Sequence, residues 1–128
     1  MRKVTLYIEC SSTYIGKKHR LSGYVLEYIT HGLPVTGQDF REDSGTYNQE
    51  YLLTIAEALG HMKEPCELLI CGRNRFVLNM IRDRLQIWAE HDFTSNGRPV
   101  MNQEEWQAVW EKIKQHKVSV QIGKHSYS

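Results

Sequence analysis

The first residues of the chain show an alternation of apolar and polar side chains that predicts a β-strand. The run from Val4 to Glu9 is rich in β-branched and aromatic residues, which favour strands. The small residues Cys10, Ser11 and Ser12 follow it, and the strand is expected to end there. Because the chain begins with this strand, later elements are expected to add onto it. Glu9 places a carboxylate at the end of this strand. This carboxylate either belongs to a functional site or only marks where the chain leaves the sheet.

The next two apolar stretches predict an antiparallel meander with the first strand. The polar stretch 13–21 is expected to be a loop, and a second strand is expected over 22–29. The segment 30–40 holds Gly32 and Pro34, which predicts a turn into a short third strand. Three neighbouring strands of this kind form one side of a sheet.

Helical spacing of apolar residues replaces the strand pattern after residue 46. Leu52, Ile55 and Leu59 recur at intervals of three and four, which is typical of an amphipathic helix. Asn102 precedes two glutamates and is expected to cap a later helix. The predicted elements are a helix over 47–63, a buried strand over 68–71, a helix from 76 to about 92, a loop over 93–101, a helix from Asn102 and a last strand over 118–122.

The order of these elements predicts an α/β fold. Strand–helix–strand units beside a meander imply a mixed five-stranded sheet, built from three antiparallel strands and two more, with helices on both faces. With 128 residues, the chain is expected to form a single domain over 1–128.

Composition narrows the possible partners. The net charge is +1 and the sequence pI is about 7.8, so any nucleic-acid site is expected to be local and weak rather than a strongly basic face. The three cysteines have no metal-ligand spacing and are expected to be reduced. Neither a leader segment nor a membrane span is expected, which favours a cytoplasmic location.

Four stretches give the chain a resemblance to the type 1 ribonuclease H family. They are the strand end Glu9-Cys10-Ser11, the helix lead-in Thr46-Tyr47-Asn48, the run 63–67 (Lys-Glu-Pro-Cys-Glu) and the run 98–106 (Arg-Pro-Val-Met-Asn-Gln-Glu-Glu-Trp). No one of these motifs is diagnostic by itself. Their order and spacing resemble the family over nearly the whole chain.

The resemblance implies hydrolysis of the RNA strand of an RNA/DNA hybrid by two Mg²⁺ or Mn²⁺ ions, which four carboxylates hold. Glu9 stands at the first carboxylate position, and the second falls at Tyr51 or, if the register slips by one residue, at Glu50. Arg73 stands at the third. The fourth belongs to a helix after the last strand, which this chain is expected to lack, and His125 resembles the family's catalytic histidine.

Arg73 leaves two interpretations of the site open. With Arg75, it would bind phosphate in place of the metals, next to nucleic-acid contacts that the resemblance implies for Ser11 and Asn48. Alternatively, Arg73 forms a structural ion pair with Glu9. The basic run 17–20 is expected to be a solvated loop, and the three tryptophans are expected to belong to the core.

The leading functional hypothesis is a degenerate member of the family, a pseudoenzyme without efficient nuclease activity that needs no cofactor. It would retain at most binding of an RNA/DNA hybrid or of a protein partner. One alternative is an active Mg²⁺- or Mn²⁺-dependent endoribonuclease that uses Glu9 and Glu50, assisted by His125. The other is a protein-interaction module with no nucleic-acid role.

Overall fold

The computed structural model describes residues 2–30 and 32–123, which form an α/β fold. Strands and helices follow each other much as predicted, with one additional two-stranded hairpin. The elements are β1 Arg2–Cys10, β2 Lys18–Thr30, β3 Leu33–Gly45, α1 Tyr47–Leu59, β4 Cys66–Gly72, α2 Arg75–Asp83, α3 Leu85–Glu90, β5 Thr94–Ser95, β6 Arg98–Pro99, α4 Gln103–Ile113 and β7 Lys117–Ile122.

The main sheet has five strands in the order β3-β2-β1-β4-β7. The meander β1-β2-β3 is antiparallel, whereas β4 and β7 run parallel to β1. The predicted mixed sheet is therefore confirmed, with β1 at its centre. Because β1, β4 and β7 are parallel, their carboxyl ends meet at one edge of the sheet, and Glu9 lies at this edge.

All four helices pack on one face of the sheet. Leu6 and Ile70 of the strands share one buried cluster with Leu52 of α1 and Trp106 of α4. The opposite face carries a small cluster of strand residues, Tyr7, Val25, Cys71 and Leu69, to which no helix within the described residues contributes. The expectation of helices on both faces is therefore not met in this part of the chain, although the α/β class is confirmed.

The meander strands are longer than predicted. The second strand begins at Lys18 and not at 22, and the third extends to Gly45. Their ladder pairs Lys18 with Gly45 at one end and Thr30 with Leu33 at the other. Polar residues in 13–21 and 41–45 obscured these strand ends, because exposed edge positions need no apolar side chains.

Two helix boundaries differ from the sequence-based expectation. Helix α1 ends at Leu59 rather than at 63. Its C-cap residue is Gly60, and the helix ends there because glycine is a poor helix former. The helix expected from 76 to 92 is divided into α2 and α3 at Arg84, whose φ of -128° is not helical.

The loop 93–101 and the cap at Asn102 also differ in detail. Asn96 and Gly97 both have positive φ, at 54° and 76°, which is the geometry of a tight hairpin turn and explains the additional β5-β6 pair. Asn102 precedes α4 as predicted, but it adopts a left-handed conformation and its side chain makes no capping hydrogen bond.

The predicted states of the cysteines and tryptophans are confirmed. All three cysteines are free, and Cys66 and Cys71 are buried. Trp106 is buried, and its ring meets that of Trp88 edge to face at 5.1 Å. Among the described helices, none is long and apolar enough to cross a membrane.

Candidate functional site

The candidate site lies where β1 and β4 end side by side. Their parallel register pairs Tyr7 with Cys71, and continuing it by two residues aligns Glu9 with Arg73. Glu9 is half-buried, whereas Arg73 is exposed. The fold therefore brings together the two positions, Glu9 and Arg73, that the sequence singled out, at the ends of neighbouring strands.

Tyr51 of α1 reaches this edge from the face of the sheet that the helices cover. Its ring is buried, and its hydroxyl packs so closely against Gly72 that a Cβ at position 72 would overlap it. Among residues 2–30 and 32–123, no group completes a hydrogen bond to this hydroxyl in good geometry. Glycine at position 72 is therefore required by the close approach of the phenol and not by a turn.

The pKa of Tyr51 is raised, mainly because burial disfavours the phenolate. The nearby Tyr47, Glu9 and Cys10 raise it further, while the backbone of Asn74 opposes the shift in part. Tyr51 is therefore a neutral group at physiological pH.

Glu50 lies on a different side of α1. It is buried, and one carboxylate oxygen is 3.4 Å from Nη2 of Arg41 on β3. Burial, and then the neighbouring Asp43, raise the pKa of Glu50, while Arg41 lowers it. Of the two candidates for the second carboxylate position, the structure places Tyr51, and not Glu50, beside the end of β4.

Tyr47 connects the start of α1 to the same site. Its ring packs edge to face on that of Tyr51 with centroids 5.7 Å apart. Burial, followed by the charge of Cys10, raises the pKa of Tyr47 to about 12, and the cations Arg73 and Arg20 oppose this shift. Two phenols with raised pKa values thus pack against each other at the start of α1.

Asn74 joins the starts of two helices next to the site. Its side-chain oxygen accepts a hydrogen bond from the Val77 N–H at 2.9 Å and so caps α2, as asparagine commonly does. Its amide nitrogen donates to the side-chain oxygen of Asn48 on α1 at 2.9 Å. This contact joins the start of α1 to the start of α2.

The loop between β1 and β2 is held by Arg20. This guanidinium is only 1% exposed and donates to the carbonyl oxygens of Ser12, Tyr14 and Gly16 at 2.8, 2.9 and 2.8 Å. The expectation that all of the run 17–20 is solvated is therefore wrong for Arg20. The sequence could not separate it from its exposed neighbours, because burial depends on the loop folding back over it.

Of the other predicted residues, Ser11 is exposed at the start of this loop, and its Oγ accepts a hydrogen bond from the Leu21 N–H at 2.9 Å. His125 lies outside the described residues.

Within 2–30 and 32–123, no group of three or more His, Cys, Asp or Glu side chains is placed to hold a metal ion. The described donors at the site are one carboxylate, two phenols and asparagine amides beside a guanidinium.

Comparison with known proteins identifies the fold. The family model for RNase H matches residues 1–125. The chain belongs to the ribonuclease H family. It is 30% identical to a ribonuclease H of Clostridium botulinum over 131 residues, covering 98% of this chain and 86% of that protein. It is 32% identical to ribonuclease HI of Haemophilus influenzae over 100 residues, covering 77% of this chain and 63% of the relative.

Solved structures agree with this assignment of the ribonuclease H fold. A type 1 RNase H with the type 2 active-site motif superimposes with a TM-score of 0.77 at 17% identity, covering the whole chain and 65% of that protein. The chain thus spans about two thirds of that structure. A foamy viral protease-reverse transcriptase, solved in complex with an RNA/DNA hybrid, gives a TM-score of 0.67 at 13% identity, covering 96% of this chain and 17% of the viral protein.

Proposed function

We propose that this ribonuclease H domain binds RNA/DNA hybrids without efficient metal-dependent cleavage. The observation that carries the proposal is the Tyr51 phenol, which fills the space against Gly72 next to Glu9. The placement of Arg73 at the end of the adjacent strand supports it. The proposed activity is therefore recognition of nucleic acid by a site whose chemistry differs from that of a two-metal nuclease.

The donors at this site do not fit a pair of divalent cations. Mg²⁺ and Mn²⁺ prefer carboxylate oxygens, and two-metal hydrolysis needs several carboxylates to neutralise and position the ions. Glu9 supplies one carboxylate, but Tyr51 is a neutral phenol with a raised pKa. A guanidinium such as that of Arg73, if it lay about 4 Å from a divalent ion, would be repelled by several kcal/mol even at a high effective dielectric constant.

The same groups suit binding of phosphate. Arg73 and Arg75 are both exposed, and guanidinium groups bind phosphate oxygens in a bidentate manner. Asn48 and Ser11 add polar groups at the same edge of the sheet. These groups are few and the net charge of the chain is low, so the binding is expected to be weak and sensitive to salt.

Cleavage of a labelled RNA/DNA hybrid tests the proposal. The purified chain is assayed in Mg²⁺ and then in Mn²⁺, with Glu9→Ala prepared in parallel. We expect no cleavage above the level of the Glu9→Ala control. Cleavage that disappears in this variant would overturn the proposal and favour an active enzyme that uses Glu9, Glu50 and a bound metal ion.

Binding is tested on the same hybrid by fluorescence anisotropy in EDTA at increasing salt. We expect an affinity that falls as the salt concentration rises, because contacts with phosphate release counterions. Absence of binding even at low salt would contradict the proposal and leave a protein-interaction role as the alternative.

A further inference from the structure

One cavity of the described chain lies at the far end of α1 from the nucleic-acid site. Helix α1 begins beside that site at Tyr47 and ends at Leu59, which separates the two places by about 20 Å along the helix axis at 1.5 Å per residue. The cavity has a volume of about 600 Å³, within the range that small-molecule sites occupy. None of the residues assigned to the nucleic-acid site lines it.

The floor of the cavity is formed by β2 and β3. Tyr24, Leu26 and Tyr28 lie on the same face of β2 because side chains alternate along a strand, and all three line the cavity. Gly37 of β3 pairs directly with Leu26, so a side chain at position 37 would project on this same face. A Cβ built on Gly37 meets nothing within 4 Å, and the floor is therefore open at this point.

Aromatic rings and cationic side chains form the walls. The ring of His61, from the segment after α1, lies 6.1 Å from that of Tyr24. The guanidinium of Arg2 at the start of β1 is 5.2 Å from the centre of the Tyr28 ring. Lys63 adds a second cation and Glu64 a single anion to the lining. The cavity thus combines flat apolar surfaces with a small excess of positive charge.

These groups define the chemistry of a ligand. Tyrosine and histidine rings favour stacking on a planar aromatic ring, while Arg2 and Lys63 favour an anionic substituent. We propose that this cavity binds a small planar aromatic anion of the mononucleotide class, at a site separate from the nucleic-acid surface. The proposal does not depend on the function proposed above, because it uses other residues at the opposite end of α1.

Titration with adenosine monophosphate, followed by amide NMR shifts, tests the proposal. We expect saturable shifts at Tyr24, Tyr28, Gly37 and His61. Adenosine and inorganic phosphate are each expected to bind at least about tenfold more weakly than adenosine monophosphate. Adenosine lacks the anionic group, and inorganic phosphate lacks the planar ring. Equal affinity for adenosine would overturn the anionic part of the proposal, and no shift at these residues would overturn the whole.

Gly37→Leu provides the sharpest variant, because the new side chain enters open space at a position without positive φ. It is expected to weaken binding of adenosine monophosphate at least tenfold while the melting temperature stays close to that of the parent. Ser119→Leu, on the exposed strand β7, adds the same side chain far from the cavity and serves as the control. Unchanged affinity in Gly37→Leu would contradict the proposed position of the ligand.

A short single-stranded oligonucleotide distinguishes a free mononucleotide from the end of a strand. If the cavity takes free mononucleotides, the oligonucleotide shifts the amides near Arg73 and Arg75 but leaves Gly37 unchanged. A strand end that enters the cavity would shift Gly37 as well, and Gly37→Leu would then weaken oligonucleotide binding. Shifts confined to the Arg73 end with every ligand would overturn the proposal, whichever function the domain itself has.

Discussion

The hydroxyl of Tyr51 packs directly against the Cα of Gly72, where any β-carbon would overlap it. The contact joins the middle of α1 to the end of β4, beside the half-buried Glu9. A phenol thus lies here at one of the two positions, Tyr51 or Glu50, that the resemblance gives for the second carboxylate of a two-metal site. The energetic coupling of these two residues can be measured directly.

Gly72→Ala is expected to lower the free energy of unfolding by about 1–3 kcal/mol, because the new methyl group forces Tyr51 out of its place. Tyr51→Phe removes a buried hydroxyl that lacks a good hydrogen bond, and we expect a change near zero or a small gain. In the double variant the smaller ring is expected to restore part of the loss. Urea unfolding of all four proteins gives the coupling, and strictly additive effects would contradict the contact.

Restoring carboxylates at the site is expected to restore binding of a divalent cation. The double variant Tyr51→Glu with Arg73→Asp places two carboxylates beside Glu9, which Mn²⁺ prefers as ligands. Calorimetric titration is expected to detect Mn²⁺ binding in the double variant and not in the parent. Adding Glu9→Ala to the double variant should remove the binding again, and retention of the ion there would place it elsewhere.

Arg73→Gln is expected to weaken binding of the RNA/DNA hybrid and to reduce the slope of log affinity against log salt by about one. The reason is that the proposed binding site would lose one cation for phosphate. Arg82→Gln is the matched control, because Arg82 is an exposed arginine on α2 that pairs with Asp83 at 2.8 Å. An equal loss of affinity for the hybrid in both variants would indicate a general effect of charge and not a binding site at Arg73.

Arg20→Lys is expected to destabilise the loop 12–16, because an ammonium group cannot reproduce the forked contacts of a guanidinium with three carbonyl oxygens. A loss of about 1–3 kcal/mol in the free energy of unfolding is expected, since these part-buried carbonyl oxygens lose a charged hydrogen-bond partner. Hydrogen exchange should show faster opening of residues 12–16 than in the parent. Unchanged exchange there would contradict the role given to Arg20.

His116 makes the stability of the protein depend on pH. Its Nδ1 accepts a hydrogen bond from the Cys66 N–H at 3.1 Å, which only an unprotonated nitrogen can do. Burial lowers the pKa of His116 below its ordinary value of 6.5, so the unfolded chain takes up a proton before the folded one. Stability from this group is therefore complete above pH 6.5 and falls as the pH drops below that value.

Urea unfolding between pH 8 and pH 5 measures this effect. In His116→Asn the side-chain oxygen can accept the same hydrogen bond and does not titrate. We expect the parent to lose more stability than this variant as the pH falls through 6.5. Parallel pH profiles of the two proteins would exclude His116 as the source.

The sequence by itself determined the fold class and most of the element order. Apolar side chains recur with period two in β1 and with helical spacing in α1, and these periodicities follow from local backbone geometry. The resemblance to the ribonuclease H family also singled out Glu9 and Arg73, whose positions lie at the ends of the neighbouring strands β1 and β4.

Only the tertiary structure decided which residue of α1 lies beside the end of β4 and which residue of the run 17–20 is buried. Glu50 and Tyr51 are consecutive on one helix, and a rotation of about 100° per residue directs one towards Arg41 and the other towards Gly72. Arg20 is buried while its neighbours in the run 17–20 are exposed, because the loop folds over it. The cavity above Gly37 arises in the same way, from strands and a helix end that are distant in sequence, and such contacts leave no periodic signal in the chain.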